Sequence, residues 1–177
     1  MPSTIVIARP TAEELSKEGG SYVASVGGND AWAVLASQGE GIDRLLGGLT
    51  EDRALHRYAP GKWSVKDVVG HLCDAERVYG YRALRFARND PTPLPGFEED
   101  LYVPVAHCDA RPMGELLDDW RAVRAATLAL FRGFDGDALV RRGVANGNVV
   151  SVRALAWLAA GHTQHHVGVL RERYGLR

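Results

Sequence analysis

Two histidines four residues apart, His162 and His166, are the residues of this sequence best suited to hold a metal ion. At that spacing on a helix they lie on one face, one turn apart, so both imidazoles can reach the same ion. A lone histidine on an apolar face is usually a hydrogen-bonded core residue, but two stacked ones would each need a buried polar partner. We therefore interpret the pair as half of a metal site. The motif is not the HExxH of zinc proteases, because Thr163 stands where the catalytic glutamate would be.

The best third ligand is His71, which lies on another predicted helix beside its apolar stripe. His71 is roughly 10 Å from the start of its helix, while His162 and His166 are roughly 12–18 Å before the end of theirs. If these two helices run antiparallel, the three imidazoles meet at one level. His107 and Cys108 could also bind zinc, but an adjacent pair in a proline-rich connection is weaker evidence.

Three neutral imidazoles from two helices would leave coordination positions open for water or substrate, as catalytic rather than structural metal sites do. Nitrogen ligands favour Zn²⁺ or Ni²⁺ over Ca²⁺ and Mg²⁺. Water bound there would act as nucleophile or base, and a thiol would bind as its thiolate.

Five further residues are candidates for the second shell or the pocket: Asp74, His165, Arg82, Asp100 and Trp63. Asp74 could orient His71 from one turn away, although an ion pair with Arg77 is the alternative. His165 could hydrogen-bond near the site or be solvated. Asp100 could cap the mouth of the bundle or touch a substrate, and solvation at the surface is the alternative. Trp63 either packs at the start of its helix or forms a wall of the pocket.

The elements that position these residues are four amphipathic helices, predicted at about residues 31–49, 65–89, 113–131 and 152–174. Ser64 and Ser151 are suitable N-caps for the second and fourth. Residues 90–112 contain most of the prolines and little periodicity, and residues 133–150 are predicted to be a polar loop without strands. Because antiparallel neighbours need only a short turn, the long connection favours a parallel second and third helix. We predict an all-α four-helix bundle with a long crossover between helices two and three.

Residues 1–30 are predicted to be an N-terminal arm, and residues 31–177 the bundle domain. Two glycine pairs, Gly19-Gly20 and Gly27-Gly28, are expected to break helical structure in the arm. On the fourth helix, Trp157, Gly161 and Gly168 form a face opposite the histidines. That face indicates either a thick bundle or a homodimer.

The composition excludes several classes of protein. A net charge of −1 argues against a nucleic-acid partner, since phosphate binding needs an excess of Lys and Arg. No apolar run is long enough to span a membrane, and the N-terminus lacks the pattern of a secretory signal. Two cysteines are too few for a disulfide framework and fit the cytoplasm.

The sequence resembles the DinB/YfiT superfamily of four-helix metalloproteins. The likeness covers segments 58–65, 70–77, 82–88, 91–97 and 155–174, and therefore most of the chain from about residue 30 onward. Its most specific part is the order Lys62-Trp63-Ser64, then His71 seven residues after the serine, then the distant His162 and His166.

The resemblance implies an up-down-down-up bundle, a divalent metal held by His71, His162 and His166, and dimerisation. Activities in the superfamily include transfer of low-molecular-weight thiols, thiol-dependent isomerisation and metal-dependent hydrolysis. We expect a cytoplasmic enzyme that acts on a small-molecule substrate through a bound thiol or water. Arg82 or Arg85 would grip the carboxylates of the thiol, whereas a hydrolase would place a carboxylate such as Asp74 near the metal. A third alternative is a non-catalytic metal- or ligand-binding dimer of stress physiology.

Overall fold

The structure, a computed structural model, describes residues 6–177. Its helices are α1 (Lys17–Ala24), α2 (Ala31–Leu46), α3 (Glu51–Ala54), α4 (Val65–Ala87), α5 (Glu99–Ala106), α6 (Met113–Arg132), α7 (Gly136–Val140) and α8 (Val152–Glu172). Strands β1 (Arg142–Ala145) and β2 (Asn148–Ser151) and two 3₁₀ turns (Ala12–Glu14 and Cys108–Ala110) complete the elements. None of the helices in this described part is both long and apolar enough to cross a membrane.

The four long helices α2, α4, α6 and α8 form the predicted up-down-down-up bundle. Helices α4 and α6 run parallel, because Glu76 pairs with Arg124 and, further toward the C-terminus of both helices, Gly80 lies next to the side chain of Leu130. Helix α8 runs antiparallel to α4, since Tyr174, just past the end of α8, donates a hydrogen bond from its hydroxyl to the carbonyl of Trp63 at 2.7 Å. The crossover between α4 and α6 is therefore the long connection that the sequence predicts.

Side-chain caps begin these helices where the sequence indicates. Asp30 caps α2 by accepting a hydrogen bond from the Trp32 amide at 3.1 Å. Ser64 and Asp67 cap α4 reciprocally, each side chain accepting from the other residue's backbone amide. Ser151 caps α8 by accepting from the Ala154 amide at 3.1 Å. The helix starts were therefore predictable, while three of the four predicted ends lie two or three residues too far along the chain.

The expectation of a strandless loop at residues 133–150 was wrong. The segment contains α7 and an antiparallel hairpin in which Ala145 of β1 pairs with Asn148 of β2. Its turn residues Asn146 and Gly147 have φ values of 50° and 73°, as a two-residue hairpin turn with left-handed backbone requires. Leu94 of the crossover adds to β1 by donating its amide to the Val144 carbonyl at 2.9 Å. Four-residue strands are too short for a clear alternation of apolar and polar residues, and only the Asn-Gly pair signals them.

The crossover is also more regular than expected. It contains α5, which includes Pro104, and then the 3₁₀ turn at Cys108–Ala110. His107 ends α5 in the left-handed conformation, with φ 51°. These two elements cover the end of the bundle where α4 begins, because Lys66 donates to the carbonyl of Arg111 at 2.7 Å.

The N-terminal arm packs on α8, on the face that suggested a thick bundle or a homodimer. Contrary to expectation, α1 runs through Gly19-Gly20, and residues 1–5 of the predicted arm lie outside the described residues. The Trp157 indole donates to the carbonyls of Ile7 and Ala8 at 3.1 and 3.0 Å. A Cβ atom at Gly161 would lie 2.6 Å from the Tyr22 carbonyl oxygen. The thick-bundle interpretation therefore accounts for Trp157 and Gly161 without a partner chain.

Candidate metal centre

Three imidazoles from two helices converge between α4 and α8. The Nε2 atoms of His71 and His162 are 2.9 Å apart, although the residues are 91 positions apart in the chain. One ligand atom from each of His71, His162 and His166 lies within 4.8 Å of the others. Two nitrogens bound to one Zn²⁺ at 2.0–2.1 Å would lie about 2.8–3.4 Å apart for bond angles near 90–109°. The spacing of His71 and His162 therefore matches two ligands of one ion.

Burial supports a cation at this position. His71 and His162 are buried, at 5% and 8% exposure, and His166 is half-buried. The Nδ1 atom of His166 is buried and has no hydrogen-bond partner. A buried polar nitrogen without a partner is costly, and coordination of a metal by the ring, or a polar group brought in with it, would compensate for that cost. The donor set fits Zn²⁺ or Ni²⁺.

The electrostatics keep these imidazoles neutral, which is the form that ligates metals. Burial, with smaller contributions from the nearby His71 and His165, lowers the pKa of His162 to about 3. Burial also lowers the pKa of His166 to about 2, with His162 as the next contribution. For His71, burial lowers the pKa, while Glu99 and Asp100 on α5 act in the opposite direction.

Aromatic rings enclose the histidines on several sides. The ring of Trp63 lies nearly parallel to that of His166, with ring planes at 17° and centroids 6.4 Å apart. Its centroid lies 4.9 Å from that of the His71 ring. Tyr22 of α1 and Tyr79 of α4 lie 6.3 and 6.0 Å from the ring of His162. The cluster is thus shielded from bulk water on the sides where no ligand needs to enter.

A cavity of about 910 Å³ opens onto the cluster at His166. Helix α5 and the turn after it form one wall, with Asp100, Val103, Pro104, His107, Cys108 and Asp109. The other wall is formed by the segment before α4, the first turn of α4 and the end of α8, with Arg57, Tyr58, Gly61, Lys62, Trp63, Asp67, Val68, His165, His166, Val169 and Tyr174. Such a volume is typical of small-molecule sites.

Three of the five residues predicted for the second shell or pocket line this cavity: Trp63, Asp100 and His165. Trp63 is a wall of the site as well as a packing residue. Asp74 does not line the cavity; it pairs with Arg77 at 3.5 Å, which was the alternative reading from the sequence. Glu76, the other carboxylate close to His71, pairs with Arg124 on α6.

Arg82 and Arg85, the arginines expected to grip the carboxylates of a thiol, do not line the cavity. Arg82 is buried and donates to the Pro95 carbonyl at 2.9 Å, and Arg85 pairs with Asp90 and Tyr81, so neither lines the cavity. Its cationic side chains are instead Arg57 and Lys62. Arg57 is held by Asp67 at 2.8 Å and by Asp109, whereas Lys62 is exposed.

Sequence reasoning also missed Tyr22, Tyr58, Tyr79 and Tyr174 as residues around the site. Tyr79 and Tyr174 each lie eight residues after a histidine of the cluster, about 80° round the helix, so helical periodicity could have suggested them. Tyr22 and Tyr58 lie in segments without periodicity, and no local signal indicates their position.

Comparison with known proteins agrees with this geometry. The sequence profile of the DinB superfamily matches residues 35–170. The chain belongs to the DinB superfamily. No curated protein sequence matches it significantly.

Two solved structures share the fold of this DinB-superfamily chain. YfiT from Bacillus subtilis, described as a probable metal-dependent hydrolase with an unusual four-helix bundle topology, superposes with a TM-score of 0.67 at 17% identity. That match covers 96% of this chain and 95% of YfiT. The mycothiol-dependent maleylpyruvate isomerase superposes with a TM-score of 0.66 at 14% identity, over 78% of this chain and 58% of the isomerase. At these identities the likeness establishes the bundle topology only.

Proposed function

We propose that this protein is a metal-dependent enzyme that activates a low-molecular-weight thiol and transfers it to a small electrophile. The observation that carries the proposal is the convergence of His71, His162 and His166 at the end of an open cavity. A closed structural site would have a fourth protein ligand. Within residues 6–177, the group of side chains able to hold an ion contains only these three.

A divalent ion bound here, Zn²⁺ or Ni²⁺, would favour the deprotonated form of a thiol. The chain supplies the surroundings for that chemistry. Trp63, Tyr22 and Tyr79 exclude water around the imidazoles, which strengthens electrostatic interactions at the site. Lys62, on the cavity wall, carries the positive charge that would attract a carboxylate of the thiol or of the electrophile.

In the transfer step, the thiolate sulfur would form a bond to an electrophilic carbon whose leaving group departs with its electron pair. The thiol proton would pass to solvent through the open cavity. A cavity of about 910 Å³ has room for both a small thiol and a second small molecule. The fold shared with a mycothiol-dependent isomerase is consistent with a thiol co-substrate.

Metal-dependent hydrolysis is the second candidate function, and Asp100 favours it. Asp100 lines the cavity, and it acts with Glu99 to oppose the lowering of the His71 pKa, so negative charge faces the cluster from α5. A carboxylate in that position could serve as general base toward water. YfiT, which shares the fold, is described as a probable metal-dependent hydrolase.

We also propose that the protein is a homodimer in the cytoplasm. Leu101 and Val105 of α5 are 69% and 70% exposed, and exposed apolar side chains of this size suit a protein–protein contact. Sedimentation of the purified chain would test it: a monomer at micromolar concentration would contradict the dimer without affecting the metal site.

The test of the function combines metal analysis with thiol conjugation. We expect wild type to bind one equivalent of Zn²⁺ or Ni²⁺ and His162→Ala to lose it. We then expect the metal-loaded wild type, and not the apoprotein, to conjugate thiols such as N-acetylcysteine to an electrophile such as monochlorobimane.

His165→Ala is the matched control, because His165 is adjacent on α8 and lies outside the metal-holding group. It should retain the metal. Unchanged metal content in His162→Ala would contradict the metal site. Metal-dependent hydrolysis of ester substrates without thiol conjugation, abolished by Asp100→Asn, would favour the second candidate.

A further inference from the structure

One guanidinium group at the centre of the molecule joins all four bundle helices. Arg124 of α6 donates from Nη2 to Glu76 of α4 at 2.7 Å and to the Thr163 hydroxyl of α8 at 2.9 Å. Its Nη1 donates to the carbonyl of Leu35 on α2 at 2.8 Å. The guanidinium also stacks over Trp120, 4.5 Å from the ring centre.

This network is expected to add little to the stability of the bundle. Glu76 and Arg124 are each 3% exposed, and buried ion pairs can often be replaced by apolar residues without loss of stability, because desolvation offsets their attraction. The cost is increased here, since Glu76 Oε1 and Arg124 Nε are buried without hydrogen-bond partners. What a planar guanidinium does supply is fixed direction, because its donors form a rigid fork.

The network lies next to the histidine cluster. Thr163 directly follows His162, and its hydroxyl also donates to the Ala159 carbonyl at 3.0 Å, so its rotamer is held from both sides. With Thr163 facing α6, His162 and His166 lie about 100° and 60° round α8 from it, on the same side. That side faces α4, where His71 precedes Glu76 by five residues.

We propose that Arg124 is a positioning residue, which fixes the rotation of α4 and α8 so that the three imidazoles meet within ligand distance. The proposal rests on the proposed metal site. A histidine ring nitrogen lies about 6 Å from its helix axis, so a rotation of about 10° moves it by about 1 Å, several times the tolerance of a metal–ligand bond. The buried ion pair would thus be retained for metal affinity and not for folding.

The test separates metal binding from stability. In Glu76→Leu/Arg124→Met the network is replaced by apolar side chains, and in Thr163→Val only the hydroxyl is removed. We expect the double variant to keep the wild-type Tm while its Co²⁺ affinity falls about 10- to 100-fold, as for loss of other outer-shell partners, with an altered d–d absorption spectrum. Thr163→Val should show a smaller loss of affinity, and Thr163→Ser should restore wild-type affinity and spectrum.

Arg121→Met is the matched control, because Arg121 is on the same helix and pairs only with the surface residues Asp43 and Asp118. It should leave Co²⁺ binding unchanged. A folded double variant with wild-type affinity and spectrum would overturn the positioning role and leave the metal site intact. A loss of affinity that merely follows a loss of Tm would also overturn it. If wild type itself binds no Co²⁺, both proposals fail.

Discussion

The sulfur of Cys108 lies directly against the backbone of Gly70, the residue before His71. It fills the space that any side chain at position 70 would need. This contact docks the 3₁₀ turn after α5 on the helix that carries His71. The same turn is held by Ser64, whose hydroxyl donates to Asp109 at 2.6 Å. A glycine next to a candidate ligand thus determines where one wall of the cavity lies.

Gly70→Ala should therefore displace the turn and destabilise the protein by about 1–3 kcal/mol, the usual effect of overpacking. The added Cβ would remain 3.6 Å from the Cβ of Cys108, an ordinary contact, so only the sulfur obstructs it. Consequently Gly70→Ala/Cys108→Ala should be at least as stable as Cys108→Ala alone. The measurement is the free energy of unfolding in urea of wild type, the two single variants and the double variant.

Gly41→Ala is the control for the change in helix propensity when a helical glycine becomes alanine, because nothing lies within 4 Å of a Cβ added at Gly41. It should be neutral or stabilising by up to about 1 kcal/mol. A Gly70→Ala protein as stable as wild type would show that Cys108 does not hold this position.

Gly161→Ala should loosen the N-terminal arm. The added Cβ would lie 2.6 Å from the Tyr22 carbonyl oxygen, and backbone cannot move aside as a flexible side chain can. We expect α1 to separate from α8 and trypsin to cleave after Lys17 faster than in wild type. Gly168→Ala on the same helix has open space at its Cβ and should be cleaved at the wild-type rate. Equal rates in both variants would mean that the arm is not seated on Gly161.

Glu14 should make the protein sensitive to acid. Hydrogen bonds from Arg153, supported by Ser151 and opposed by burial, lower the pKa of this buried carboxyl from 4.5 to about 2. A lowered folded-state pKa stabilises the protein above the unfolded value, and the contribution is lost as the pH falls from about 4.5 to 2. Glu14→Gln should cost up to about 3 kcal/mol at pH 7 and flatten the acid limb of the stability curve.

The measurement is the free energy of unfolding in urea at several pH values between 7 and 2. Glu13→Gln serves as the control, since Glu13 is the exposed neighbour of Glu14 in the same turn and should retain the wild-type curve. If Glu14→Gln also retains it, the ion pair with Arg153 contributes nothing to stability.

Metal binding at pH 6 should displace clearly fewer than two protons from the imidazoles. Three histidines with ordinary pKa values near 6.5 would release about two protons at this pH. Here burial lowers the pKa of His162 to about 3 and that of His166 to about 2, and it lowers the pKa of His71 as well. Calorimetric titration with Zn²⁺ in buffers of different ionisation enthalpy counts the protons; a release of two would contradict the buried, neutral cluster.

The lowered pKa values of the imidazoles also determine how the stability of the metal-free protein depends on pH. His162 and His166 stay neutral at pH 5 in the folded protein, while the imidazoles of the unfolded chain take up protons below about pH 6.5. Stability should therefore decrease as the pH falls from about 6.5. Replacing His162 with Gln should reduce this decrease, as urea denaturation of the apoproteins at pH 7 and 5 would reveal.

Local signals were sufficient for the long helices. Ser64 and Ser151 cap helices where the sequence places them, because a cap needs only the amides two or three residues further on. The hairpin at Asn146-Gly147 and helix α1 across Gly19-Gly20 were not predicted. Helix α1 depends on packing against α8, which overrides the low helix propensity of its two glycines. The hairpin has a local signal only in its Asn-Gly turn, and its first strand is extended by pairing with the distant Leu94.

The sequence by itself determined the bundle and brought His71, His162 and His166 together. Helical spacing fixes which residues share a face, and helix length fixes how deep each lies. Only the tertiary structure decided what surrounds them: Cys108 against Gly70, Tyr22 beside His162, and Arg124 between Glu76 and Thr163. These contacts join side chains that are far apart in the sequence. Which side chains meet depends on how the helices are rotated against one another, and no local sequence pattern predicts that rotation.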